Sequence, residues 1–160
     1  MNNKPTTNNI SLGIRTKTFT IDDDPNRVIE LDPSDMGVIG RLDEAIPKID
    51  AVMDEFVEAG KKMSENGGAD FGAVLKDFDA RMREIVNTVF DYDVCTACVP
   101  KGTLLDVVSD SDKFKFEVII EGLSKVYEDT IIGDLTRVKN RMNEHTKKYT
   151  TTKKPIKKTK

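Results

Sequence analysis

The sequence predicts a mainly α protein: an N-terminal β-hairpin, then a helical hairpin and a third long helix, with disordered termini. Three observations carry this reading. A β-branched, period-2 run lies at residues 13–21, two apolar seams with heptad-like spacing occupy residues 39–56 and 71–89, and both ends are polar and aperiodic. At 160 residues the chain has the size of one domain with tails. Its expected segments are a disordered arm at 1–12, a hairpin at 13–31, a helical domain at 32–145 and a disordered Lys-rich tail at 146–160.

From Gly13 the run alternates, with Arg15, Lys17, Phe19 and Ile21 on one face and Ile14, Thr16, Thr18 and Thr20 on the other, as in a strand. Arg27 to Leu31 reads as its partner. Between them Asp22 to Asn26 is turn chemistry, because Pro25 fixes φ while Asp and Asn bond nearby backbone and tolerate left-handed geometry.

Asp32-Pro-Ser-Asp35 reads as a helix start, with Asp32 or Ser34 as the N-cap and Asp35 near the positive end of the helix dipole. Ile39, Leu42, Ile46, Ile49, Met53 and Phe56 then recur every three or four residues, and Pro47 keeps that phase, which predicts a kink and no stop. Ser64 to Asp70 breaks the helix at two glycines, and Asp70 is placed to cap the next one. Its seam is Phe71, Leu75, Phe78, Met82, Ile85 and Val89. Two such seams joined by a short loop predict an antiparallel hairpin in which each covers the other.

After Phe90 the pattern lapses into a connector with a helical turn expected at Leu104 to Val108. Ser109 to Asp112 supplies caps for a third helix bearing Phe116, Ile119, Leu123, Val126, Tyr127, Ile131 and Leu135, which Gly133 can bend or fray. From about His145 the chain turns to Lys and Thr with Pro155, a composition that buries too little apolar surface to fold alone.

Charge divides the chain unevenly. The formal net charge is −3, but seven lysines and no acid lie in the last fourteen residues, so residues 1–146 carry 18 basic against 28 acidic side chains. An acidic body repels phosphate, which argues against a nucleic-acid reader. The chain has no apolar run of the roughly 18 residues that span a bilayer, and its first residues lack the apolar segment of a secretory signal; a soluble, cytoplasmic protein is expected.

No enzyme signature emerges. Cys95-Thr-Ala-Cys98 is a spacing used in metal and redox sites, yet a zinc site needs four ligands and His145 is the sole histidine. Two ordinary, half-buried cysteines are the main reading, with an intersubunit metal or a redox pair as alternatives. Residues 65–69 lack the Lys and Ser or Thr of a phosphate loop. The acids of residues 22–35 lack the alternation, Gly and distal Glu of a calcium loop. No catalytic residue, metal ligand or cofactor is expected.

Binding is the remaining chemistry. Helical stripes are usually core, but adaptable methionines at 36, 53, 63, 82 and 142 also suit a groove that takes an amphipathic helix. Ile39, Leu42, Ile46, Phe78, Met82 and Ile85 are expected to form the core or such a groove. Lys153, Lys154, Lys157 and Lys158 read as solvated disorder, as a contact for an acidic partner, or as a weak nucleic-acid contact. Self-association into a homo-oligomer is also open.

The run Phe19-Thr-Ile-Asp-Asp-Asp-Pro-Asn-Arg-Val-Ile-Glu-Leu-Asp-Pro-Ser-Asp35, followed by a long heptad-patterned helix and a tail with Lys147-Lys-Tyr-Thr150, resembles a known family. These are small tail-module proteins of siphophages and prophages of Gram-positive bacteria that look like tail assembly chaperones. The resemblance is sharpest over residues 19–35, looser through the helices and absent from the arm. Residues 91–98 depart from the Gly-rich pattern of the family, so nothing carries over to the cysteines. The resemblance implies a helper that keeps the tape measure protein soluble, recruits tail-tube subunits and leaves the finished virion. Such helpers are often made in short and frameshift-extended forms. A minor structural protein of the virion, for the neck or tail completion, is the alternative.

Overall fold

The computed structural model describes residues 8–13, 16–67 and 70–150, without the side chains of 66, 145, 146 and 148–150. Within them the chain is mainly helical, with a short N-terminal β-hairpin and a long final helix. Strands β1 (Lys17–Ile21) and β2 (Asp24–Leu31) pair antiparallel, with Phe19 opposite Ile29 and Lys17 opposite Leu31. The period-2 reading holds: Phe19 and Ile21 are half-buried, Ile29 and Leu31 are buried, and Thr18, Thr20 and Glu30 face out. Ile14 and Arg15, assigned to this strand by sequence, lie outside the described residues.

The connection differs from the expected five-residue turn. Only Asp22 and Asp23 form it, both left-handed at φ 52° and 57°, as a two-residue turn matched to the strand twist requires. Pro25 to Arg27 instead bulge from β2, since Thr20 pairs with Val28 and Ile21 with Asp24. That bulge re-aims Arg27.

Helix α1 (Gly37–Asn66) begins later than the sequence suggested. Asp32 Oδ1 accepts from the Ser34 amide and Asp35 Oδ1 from the Gly37 amide, so local side-chain bonds hold residues 32–36 out of the helix. The helix passes through Pro47 without stopping. Helix α2 (Phe71–Phe90) follows, with Asp70 in the cap position but without the side-chain cap bond expected of it.

Helices α1 and α2 form the antiparallel hairpin. Phe56 packs edge-on against Phe78 with centroids 5.5 Å apart, Arg81 makes a forked pair with Glu55, and Arg41 reaches the Val89 carbonyl at the opposite end. The buried stripe of α1 is Val38, Ala45 and Val52, one position away from the expected Ile39 and Ile46. Leu42, Ile49, Met53 and Phe56 flank it.

The connector holds a short helix at Val94–Cys98, α3, where a loop was expected; Leu104 to Val108 forms no helix. Residues 109–112 form the turn between two-residue strands β3 (Val107–Val108) and β4 (Lys113–Phe114) and do not cap the final helix. That helix, α4 (Lys115–Thr150), starts with Glu117 accepting from the Phe114 amide, half of a capping box. It passes Gly133 and overruns the expected boundary at 145.

One core joins these pieces. Ile29 and Leu31 from β2, Phe78, Met82, Val86 and Val89 from α2, Val94 and Cys95 from α3, and Phe116 to Ile131 from α4 contribute to it. Phe90 and Tyr127 rings lie 5.9 Å apart across the α2–α4 contact.

Carboxylates fix the joints. Arg41 beside Asp35, Thr96 hydroxyl and amide bonds to Asp93, and Thr103 with Lys115 at Asp106 hold all three carboxyls below the usual range. A depressed carboxyl favours the folded state above its unfolded pKa, and the advantage fades as pH falls through the lower folded value. We therefore expect the urea midpoint to be level from pH 7 to about 5 and to fall below about pH 4. A midpoint unchanged from pH 6 to 3 would contradict these joints.

Candidate functional site

Two exposed isoleucines, Ile39 and Ile132, face each other where α1 meets α4. Val38, Ile39 and Leu42 on one side and Tyr127, Ile131 and Ile132 on the other line an open groove of about 340 Å³. Ile39 and Ile132 are 51% and 55% exposed, so each rim carries an isoleucine that the protein itself leaves half uncovered. At the rims stand the carboxylates of Asp43 and Glu128. Inside, Ser124 Oγ is buried without a hydrogen-bond partner, and burial pushes the Tyr127 phenol up. Such a groove has the chemistry of a helix acceptor: apolar walls, a few polar points and an acidic edge.

Beyond the groove the apolar stripe of α4 continues through Leu135, Val138 and Met142, which are 53%, 42% and 59% exposed. Asp134, hydrogen-bonded by Ser34 at 2.8 Å, ties α4 to the segment leading into α1. Every described side chain from Leu135 to Glu144 is exposed.

The structure separates the six apolar residues named from sequence. Phe78 and Met82 are buried core, and Ile85 is half-buried beside the more polar α1–α2 cleft. Ile39 and Leu42 line the α1–α4 groove, while Ile46 lies exposed on α1. Lys153, Lys154, Lys157 and Lys158 lie outside the described residues. Sequence reasoning missed Ile132 and Val138. Their signal was apolar side chains beside and just past the predicted seam: Ile132 adjoins Ile131, and Val138 lies three residues beyond Leu135.

Of the cysteine pair, Cys95 is buried and Cys98 half-buried. Burial pushes the Cys95 thiol up to about 12 and Cys98 up to about 11, so both stay protonated at neutral pH. Arg27 donates to the Ala97 and Cys98 carbonyls, and Arg83 donates to those of Val99 and Gly102, which clamps this connector to β2 and α2. Among the described residues no group of three or more His, Cys, Asp or Glu is placed to hold a metal ion. The acids of residues 22–35 serve the backbone and arginines: Asp22 pairs with Arg27, Asp24 accepts from the Asn26 amide, and Asp35 pairs with Arg41. Among the described residues no helix is long and apolar enough to cross a membrane. No family model, curated protein or solved structure matches the chain.

Proposed function

We propose that this chain acts by binding, as a phage tail assembly chaperone whose α1–α4 groove and exposed α4 stripe receive an apolar helix of the tape measure protein. The observation that carries the reading is the groove itself, with half-exposed isoleucines on both walls running into an exposed heptad stripe. Its acidic edge favours client helices with basic flanks and disfavours nucleic acid. The resemblance over residues 19–35 supplies the phage context. In this reading the protein works in the host cytoplasm, brings tail-tube subunits to its client, and is missing from the mature virion.

Co-expression with a tape measure protein from the same tail module tests this. The soluble fraction of the client should rise several-fold, and particles purified to completion should lack the chain by mass spectrometry. Unchanged client solubility would sink the chaperone reading. The chain's presence in finished particles would favour a neck or tail-completion subunit.

A further inference from the structure

We propose that the acidic, aromatic-walled cavity between β2, the end of α2 and α4 receives a single arginine side chain presented by a protein partner. The cavity measures about 290 Å³, room for one side chain and not for a drug-sized ligand. Phe90 and Tyr92 at the end of α2 and Tyr127 of α4 supply aromatic surface. Glu30, Asp32, Asp35 and Asp91 supply four carboxylates.

Tyr127 distinguishes this cavity from a chance cluster of acids. The residue is 3% exposed, and among the described residues its hydroxyl has no hydrogen-bond partner. Burial, then the charges of Asp35, Asp32 and Asp91, push its phenol up, with Arg41 opposing. The three carboxylates that press on it all line this cavity, which places the hydroxyl there. Buried polar groups are normally satisfied, so this one points to a ligand that supplies a donor.

Three of the carboxylates have no cation. Asp35 is held by Arg41 at 2.7 Å and by the Gly37 amide, while the Asp32 carboxylate accepts from the Ser34 amide alone. The side chains of Glu30 and Asp91 make no hydrogen bond or ion pair among the described residues. Nor, among those residues, are three of these acids placed to hold one metal ion. Acceptors too dispersed for a metal suit a guanidinium, whose five N–H donors fan out in a plane and whose flat face stacks on an aromatic ring. Tyr92, 38% exposed, offers such a ring. An ammonium is a compact point charge with three donors and reaches fewer of the acceptors.

Tyr127 lines the α1–α4 groove as well, so the arginine stands beside any helix seated there. The site is measured with a small probe, so its failure leaves the proposed function standing, and failure of client solubilisation leaves the site standing.

The experiment is an NMR titration of the full, isotope-labelled chain with N-acetyl-arginine methylamide. We expect saturable shifts at the amides of Glu30, Asp32 and Asp91, with a millimolar Kd. Tyr127→Phe and Asp91→Asn should each weaken binding about threefold with unchanged melting curves, since Asn also tolerates the left-handed backbone at position 91. The lysine analogue should bind about threefold more weakly and the uncharged citrulline analogue not at all. Shifts that fail to saturate or lie outside the cavity, equal binding of the lysine analogue, or an affinity unchanged in both variants would each overturn the proposal.

Discussion

Ile39→Asp is expected to abolish client solubilisation while leaving the melting temperature within about 2 °C of the parent, whereas Met82→Asp should prevent folding altogether. Both residues were candidates for the same role, and the structure gives them opposite ones. Met82 is fully buried between α2 and the rest of the core, so an ionised carboxylate there has neither solvent nor partner. That penalty exceeds the roughly 5–15 kcal/mol that holds a domain together. Even the milder Met82→Ala should cost about 2–5 kcal/mol through lost transfer energy and a residual cavity. Ile39 is half-exposed in the first turn of α1, where an acid near the helix N-terminus is tolerated or mildly favourable. Its apolar wall is lost, and a second charge joins Asp43 at the groove. Paired melting curves and co-expression assays check this; a destabilised Ile39→Asp, or one that still solubilises client, would remove Ile39 from the groove.

The split between Met82 and Ile39 shows where sequence reading stops. The fold class was legible because periodicities of 2 and 3.5 are properties of the chain. The choice between Val38 and Ile39 was not: neighbours on one broad apolar arc satisfy the same spacing, and only the docking of the neighbouring elements, chiefly α2, decides which points inward. The smaller Val38, Ala45 and Val52 face the core, while the bulkier isoleucines at 39 and 46 are left half-exposed. The end of α4 was misread for another reason. Residues 146–150 read as Lys-rich tail by composition, yet the stretch contains no Gly or Pro to end the helix.

The connector was the least legible part, because its structure depends on side chains distant in sequence. Arg27 and Arg83 satisfy carbonyls at positions 97–102 from elements on either side. Spacing alone holds no sign of such partners. The clustered acids of residues 22–35 posed the opposite problem. They resemble a ligand set in sequence, but a two-residue turn, three Asx turns and two arginine pairs account for Asp22, Asp24, Asp32 and Asp35.

Asp79→Ala is expected to cost about 2–4 kcal/mol, although the residue carries no hydrophobic burial and lies far in sequence from the groove. Its Oδ1 accepts from the Leu104 amide at 2.7 Å and its Oδ2 from Arg83 Nε at 2.9 Å. Removing the carboxylate leaves a part-buried amide unsatisfied and frees Arg83, which also holds the Val99 and Gly102 carbonyls. Leu104 in turn accepts from the Phe116 amide, and Asp106 O accepts from that of Lys115, so this loop positions the first turn of α4. Asp79→Asn keeps an acceptor for Leu104 but loses the ion pair, and should cost about 1 kcal/mol. Urea unfolding gives the ranking, and exchange at the Leu104 amide localises it, with protection falling strongly in the Ala variant and slightly in Asn. If the Ala variant unfolds within about 0.5 kcal/mol of the parent, the connector is held by packing alone. If it behaves as expected, the start of α4, and with it the spacing of the groove walls, depends on one carboxylate on the neighbouring helix.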